Sequence, residues 1–326
     1  MKRIVCFGEA LIDFLAKPPE NPQAPRAFLQ YAGGAPANVA VAAARLGARV
    51  DFVGMLGQDM FGDFLLDSFR EAGVGLVHIS RTSQAKTALA FVALDDDGER
   101  SFSFYRPPSA DLLFRVEHFR SGCFEQLGAF HVCSNSLTSA GFAMTTIEGM
   151  QRARSAGAVV SLDLNLRPAL WPSDLDPHPR LWDVLSRADV VKLARSELDY
   201  LAADLGSEDA VLDRLWTGTA RCLIVTDGAA PILWRTRKTN GAFAGYRVKA
   251  IDTTAAGDAF VGGLLAHLAE RGIEAKQLDD FLANTSAIDI AVRYAAAVGA
   301  LAVTRHGAFA AMPDRKAVQE LMQEQA

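Results

Sequence analysis

The nine residues Asp252-Thr-Thr-Ala-Ala-Gly-Asp-Ala-Phe260 place a carboxylate behind a run of small residues and ahead of an apolar helical stretch over 259–268. A small-residue turn that opens a helix leaves backbone N–H groups without partners, and the positive end of the helix dipole adds to them. Such a turn holds an anion, phosphate above all. Asp258 would stand beside that phosphate, where a base takes the proton of an attacking hydroxyl. The plainer alternative is that Asp258 only caps its helix, as Asp often does.

A second segment has the same character. Gly33-Gly-Ala-Pro-Ala-Asn38 runs into Val39-Ala-Val-Ala-Ala-Ala-Arg-Leu-Gly47, a small-residue loop opening a helix that ends at a glycine. The G-x-G-x-x-G spacing of a dinucleotide site is absent. Asn38 donates and accepts at once, which suits a sugar hydroxyl; a helix cap is again the plain alternative. Val53-Gly-Met-Leu-Gly57-Gln-Asp59-Met-Phe-Gly62 follows as a strand end breaking into a glycine-punctuated loop.

Together these segments resemble the PfkB/ribokinase family of sugar kinases, on the patterns at Gly33–Ala40 and Asp252–Phe260, and the resemblance runs from the first strand to Pro313. Within that family the chain is most similar to fructokinases. The residues behind this are Gly8-Glu-Ala-Leu-Ile-Asp-Phe14, Phe104-Tyr-Arg-Pro-Pro-Ser-Ala-Asp111, Asp163-Leu-Asn-Leu-Arg167 and Leu170-Trp-Pro172. The implied activity is ATP-dependent phosphorylation of fructose to fructose 6-phosphate. A kinase for another sugar or a sugar acid such as 2-keto-3-deoxygluconate is the near alternative, since the Asp-x-Asn-x-Arg segment is shared with those relatives. A non-catalytic sugar-binding regulator on the same fold is the distant one.

The resemblance also implies roles. The backbone N–H groups of Ala255, Ala256 and Gly257 form the anion cradle and Asp258 is the base. The family usually reads Gly-Ala-Gly-Asp here, so Ala255 stands in a glycine's place; the expectation is that its conformation tolerates a Cβ. For the sugar, Asp13 is expected to end the first strand, where ligand sites of open α/β sheets lie. Gly33 and Gly34 would permit close backbone approach, Asn38 would bind a hydroxyl, and Arg106 and Arg167 would face sugar or transferred phosphate. Surface salt bridges are the alternative for either arginine. For ATP, Thr226 and Gly228 would approach the phosphates, with Lys192 and Glu197 at a neighbouring strand-to-helix turn. Ala194 replaces an Asn or Ser of the family, which weakens a role for Glu197 in ordering water around Mg²⁺. Ala296 replaces an Asn typical of fructokinases, leaving Ala300 and Gly307 to shape the adenine wall by backbone packing. Asp252 and Thr254 are implied to offer backbone carbonyls to a K⁺ ion.

The elements that must position these residues alternate. Short apolar runs at 3–7, 49–53, 129–133, 159–163, 190–193 and 222–226 read as strands of a sheet covered on both faces. Helical patterns at 37–46 and 61–72 separate them, and 259–270, 286–303 and 315–325 make the last third largely helical. This order predicts a ribokinase-like three-layer α/β/α domain with a mostly parallel sheet, spanning 1–326 as one unit. Two stretches, about 17–33 and 87–106, break the rhythm and read as inserted lid strands, the second a hairpin turning at Asp95-Asp-Asp-Gly98. A homodimer through the lid is the expected assembly.

Composition agrees with a soluble α/β enzyme. The chain has 326 residues, half of them hydrophobic, and a formal net charge of −5, with a sequence pI of about 5.7. Nothing in that balance favours nucleic acid or a membrane surface. The longest apolar run, 294–303, is too short to cross a bilayer. Four cysteines lie far apart without a C-x-x-C pair, and six histidines show no ligand spacing. Free thiols in a reducing cytoplasm are the reading, with no zinc site.

Overall fold

A computed structural model describes residues 1–17, 21, 25, 27–94 and 100–325. The chain begins β1 (Arg3–Phe7), β2 (Leu11–Lys17), β3 (Ala27–Gly33), α1 (Ala35–Arg45) and β4 (Val50–Gly57). Next come α2 (Met60–Glu71), β5 (Ile79–Thr82), β6 (Ala88–Leu94), β7 (Arg100–Tyr105) and β8 (Leu127–Cys133). The middle holds α3 (Ala140–Ser155), β9 (Val159–Asp163), α4 (His178–Leu185), β10 (Val190–Ala194), α5 (Arg195–Leu205) and α6 (Glu208–Thr217). Then follow β11 (Cys222–Thr226), β12 (Ile232–Thr236) and β13 (Asn240–Phe243). The last third is α7 (Ala256–Glu270), α8 (Ala275–Ala283), α9 (Thr285–Ala302) and α10 (Arg315–Glu324).

Nine strands form one sheet in the order β13-β12-β11-β10-β9-β8-β1-β4-β5, parallel except for the antiparallel pairings of β12 and β13. Strand alternation sends side chains to two cores. Ile4 and Cys6 of β1 join residues of α1, α7, α9 and α10, whereas Val5 and Phe7 join residues of α3 to α6. Phe7 anchors the second core, its ring 5.3–6.0 Å from those of Phe114, Phe119, Phe130 and Phe142. Covering both faces is what makes each strand read as an unbroken apolar run.

From β1 the chain builds outward to β5 on one side and to β13 on the other. The loops leaving the carboxyl ends of β1, β8, β9, β10 and β11 therefore gather at a topological switch point. Over them lies a four-stranded sheet in the order β3-β2-β6-β7. Leu11, Asp13, Leu15, Tyr31, Val92 and Phe104 face the cavity beneath it. On the opposite face the rings of Phe14, Phe28 and Tyr105 surround Phe91, and Phe14 packs on Phe61 of α2.

The structure corrects four expectations here. Asp13 does not end the first strand: it lies within β2, which left the central sheet after Gly8-Glu9-Ala10 and joined the small one. The lid thus takes in Leu11–Lys17 besides the two stretches expected. The edge pair β12 and β13 was not anticipated. The apolar run at 294–303 is part of α9, an 18-residue helix with mean hydropathy 1.3, long and apolar enough to cross a membrane by composition; here its small-residue face packs along α7. The turn expected at 95–98 lies outside the described residues.

Candidate active site

Ala255 adopts φ 60°, ψ 13°, the left-handed conformation, and α7 starts at the next residue. The expectation that Ala255 avoids positive φ is therefore wrong. The backbone must reverse between Thr254 and Ala256 for α7 to point its N-terminus at the switch point, and a Cβ there costs about 1–2 kcal/mol. Of the three cradle residues, Ala256 turns its N–H weakly back to the Thr253 carbonyl at 3.4 Å.

Asp258 is the third residue of α7 and does not cap it. Its Oδ2 accepts from Asn38 Nδ2 at 2.8 Å and its Oδ1 from Asn165 Nδ2 at 3.0 Å. Asn38 likewise sits inside α1, whose cap position is Gly34, so the capping alternative fails for both. Burial, and secondarily the charge of Asp163, push Asp258 up to about 7, against the pull of Asn38, Lys192 and Arg167. A carboxylate so tuned exchanges a proton near neutral pH.

Two cavities meet at Asp258. One, of about 380 Å³, lies under the small sheet and is lined by Glu9, Asp13, Asn38, Arg106, Asp252 and Asp258 among others. Gly33 and Gly34 are required by close approach. A Cβ at 33 would lie 2.1 Å from Asp13 Oδ2; one at 34, where φ is 106°, would lie 2.6 Å from the Glu9 carbonyl. Burial, then Asp252, raise Asp13 to about 7. Burial also raises Glu9, partly offset by Arg106 and Asn135.

Arg106 is not a surface residue, which corrects the salt-bridge alternative: it is 1% exposed. Its Nε donates to Asp111 Oδ2 at 2.8 Å and its Nη1 to the Asn135 carbonyl at 2.7 Å. Asn135 Nδ2 in turn donates to Glu9 Oε1 at 3.0 Å. Arg106 thus braces the cavity floor with its charge matched. Arg167 is exposed and borders both cavities.

The second cavity, of about 740 Å³, is lined by Lys192, Glu197, Thr226, Gly228, Gly257, Ala296 and Ala300, which unites the residues expected on the nucleotide side except Gly307. That glycine lines the first cavity instead. Its N–H faces Asp252 Oδ2 at 3.3 Å, and a Cβ there would meet the Tyr31 ring at 2.7 Å. The loop after α9 folds back under the small sheet, which a strand-and-helix reading could not foresee. The remote wall is apolar, with Ile232, Val248 and Val303 beside Tyr246.

Lys192 and Asp163 form a buried ion pair, Nζ lying 3.2 Å from Oδ2 and 3.1 Å from Oδ1. Burial opposes the charge on Lys192, but Asp163 and Glu197 outweigh it and raise its pKa. Both oxygens of Glu197 are engaged, one by Leu166 N–H at 2.8 Å and the other by Ala194 N–H at 2.7 Å. Asp252 Oδ1 accepts from Thr254 N–H at 2.8 Å and so fixes the turn.

Sequence reasoning assigned no role to Glu9, Tyr31, Asn135, Asp163 or Asn165. A signal existed for the last two, since Asp163-x-Asn165-x-Arg167 leaves the end of a buried strand. Asn165 even takes φ 41° to aim its amide at Asp258. Nothing in the sequence announces Asn135.

Comparison with known proteins decides the family. The pfkB family carbohydrate kinase profile matches residues 1–315. The chain belongs to the pfkB family of carbohydrate kinases. The kinase is accordingly a phosphotransferase with an alcohol group as acceptor, and its fold is ribokinase-like. Fructokinase-1 of Oryza sativa subsp. japonica is 39% identical over 322 residues, 98% of this chain and 97% of that protein. The structure of a Xylella fastidiosa fructokinase with bound ATP matches with TM-score 0.96 at 60% identity, covering 99% of this chain and 98% of that one. A Vibrio cholerae O395 fructokinase in fructose-, ADP- and calcium-bound form matches with TM-score 0.85 at 34% identity, covering 98% and 99%.

Proposed function

We propose that this kinase transfers the γ-phosphoryl group of ATP to the primary 6-hydroxyl of D-fructose. The observation that carries the reading is Asp258 at the meeting point of two cavities, one under the small sheet with Glu9, Asp13 and Asn38, the other with Lys192, Gly257 and a partly apolar wall. Asp258 takes the hydroxyl proton, and proton removal comes late in a loose transition state. Lys192 and the N-terminus of α7 stabilise the charge on the transferred phosphoryl. Thr226 and Gly228 approach the ATP phosphates, and Ala296 and Ala300 wall the base. Mg²⁺ would enter with ATP and offset the charge of its phosphates, and Glu197, engaged by two backbone N–H groups, would order water around it. Carbonyls of Asp252 and Thr254 would hold a K⁺ ion that stiffens the turn.

Charge supports a neutral sugar over a sugar acid. Glu9, Asp13, Asp252 and Asp258 line the sugar cavity, and its buried cation, Arg106, is already matched by Asp111. A substrate carboxylate would meet these four carboxylates, with the exposed Arg167 alone among the lining cations to offset them. The fructokinase relatives support the same choice. The whole of 1–326 works as one kinase unit whose small sheet closes over the sugar. Exposed Phe28 and Tyr105 on that sheet's outer face suit a homodimer contact. Four buried free thiols suit the cytoplasm.

The test is coupled ADP release across fructose, ribose, 2-keto-3-deoxygluconate, adenosine and tagatose, with and without EDTA and in Na⁺, K⁺ or choline buffers. Fructose is expected to give the highest kcat/KM, EDTA to abolish turnover, and K⁺ to give the fastest rate. Better use of the sugar acid or the nucleoside overturns the substrate; no turnover of any member overturns the catalytic reading.

A further inference from the structure

Resting on that kinase reading, we infer that Asp163 is a positioning residue that pins the Lys192 ammonium against the anion turn. Asp163 ends β9 and Lys192 lies in β10, and the two are Cα partners across the parallel ladder. Parallel neighbours in register send side chains to the same face, so both rise together toward the N-terminus of α7. Both are buried, Asp163 at 1% exposure and Lys192 at 6%. Neither charge is tolerable there without the other.

The turn is shaped to receive the ammonium. A Cβ on residue 257 would lie 2.8 Å from Lys192 Nζ and 3.8 Å from Asp163 Oδ2, so a side chain there would push the cation away from the backbone. The pair thus adds a full positive charge to the N–H groups and dipole of α7, where the phosphate arrives. Without Asp163, Lys192 is free to turn to the other carboxylates that act on it, Glu197 of α5 and Asp258 of α7.

Asp163 acts on the base as well. The charged or titratable groups that bear on Asp258 are Asp163 from β9, Arg167 from the loop after it, Lys192 from β10 and Cys133 from β8; Asn38 and Asn165 hold its oxygens. Asp163 raises its pKa and Lys192 lowers it. Removing one member of the pair must therefore move the base in the opposite direction from removing the other.

The experiment compares wild type, Asp163→Asn, Lys192→Met and the double variant, reading KM for ATP, kcat, and the acid limb of kcat/KM for fructose, which reports the free enzyme's base. Asp163→Asn is expected to raise KM for ATP and lower kcat by about tenfold each, and to move the acid limb to lower pH by about one unit. Lys192→Met should match the loss toward ATP but move the limb to higher pH. The double variant, which leaves neither member of the pair buried without the other and so keeps the test open if Asp163→Asn fails to fold, should return the limb near its wild-type position while KM for ATP stays high. An Asp163→Asn enzyme with wild-type KM for ATP and an unmoved limb overturns the inference, as does a double variant with wild-type KM for ATP. A wild type that phosphorylates no sugar overturns the kinase reading together with it; a working wild type with unmoved variants overturns this inference alone.

Discussion

The two cavities that meet at Asp258 differ in where their cations stand. Under the small sheet, Glu9, Asp13, Asp252 and Asp258 gather with Arg106 already held by Asp111 and Arg167 exposed, and burial raises the pKa of Glu9, Asp13 and Asp258. Beyond Gly257 the second cavity is also lined by carboxylates, Asp163, Glu197, Asp199 and Asp227, but Lys192, Arg167 and Arg195 stand among them beside the N-terminus of α7. A neutral polyol supplies hydroxyl donors to the first set and a triphosphate supplies negative charge to the second. Exchanging the two substrates would set the triphosphate among Glu9, Asp13 and Asp252, away from Lys192 and the N-terminus of α7. The placing of the cations thus favours one side for each substrate, and the base, Asp258, is among the groups that both cavities share.

The largest break in this arrangement comes from the shared group. Asp258→Asn should lower kcat by about two orders of magnitude or more, in the range for losing an acid–base group, while KM for fructose changes much less. Near-normal turnover would remove Asp258 from catalysis. The same substitution should stabilise the empty protein. Its folded pKa, about 7, lies above the usual 3.8, so Asp258 favours the folded state when protonated; that contribution is fully present below about 3.8, is lost as pH rises from there to about 7, and changes no further above it. Thermal melts should show Asp258→Asn gaining most over wild type at pH 8 and clearly less at pH 5; an equal gain at both would mean that the carboxylate is not desolvated.

Next in size is a change confined to the sugar side. Asp13→Ala removes an acceptor that Gly33 admits to within contact of the backbone, leaving sugar hydroxyls unpaired. KM for fructose should rise by about 10- to 100-fold with KM for ATP unchanged. A parallel rise in KM for ATP would mean that the cavities are not independent.

On the nucleotide side, Gly257→Ala places a methyl group 2.8 Å from Lys192 Nζ. The flexible lysine end must shift and loosen its hold on Asp163. KM for ATP should rise by roughly three- to tenfold, an effect of about 1 kcal/mol, while KM for fructose holds. Unaltered ATP kinetics would mean that Lys192 does not attend the turn.

What could be read from the sequence follows the range of the interactions. The anion turn and Asp258 were legible because small residues before an apolar helix form a local pattern, and the six central strands foreseen were legible because each is buried on both faces. Asp13 was misplaced because Leu11–Phe14 continues the apolar run of β1, and periodicity carries no mark of the sheet a strand will join. Arg106 and Gly307 depend on distant partners, Asn135 for one and Tyr31 for the other, that only the folded chain brings close. Ala255 hid its strain because alanine is a residue one expects to stay right-handed.

That strain allows the smallest test, and the one most specific to the turn. At φ 60° the Ala255 Cβ costs about 1–2 kcal/mol, whereas glycine there would cost roughly 0.5–1 kcal/mol in unfolded-chain entropy. Ala255→Gly should therefore be stabilising by up to about 1 kcal/mol, a rise in Tm of a degree or two for a chain of this size. The backbone N–H groups keep their places, so kcat and both KM values should stay within about twofold of wild type. Gly257→Ala, two residues on, should do the reverse, disturbing ATP binding and, through the loosened Lys192–Asp163 pair, lowering Tm, although residue 257 lies within a helix that accepts alanine well. A drop in Tm for Ala255→Gly would show that the left-handed turn carries no strain, and that the departure from the family's usual glycine costs this kinase nothing.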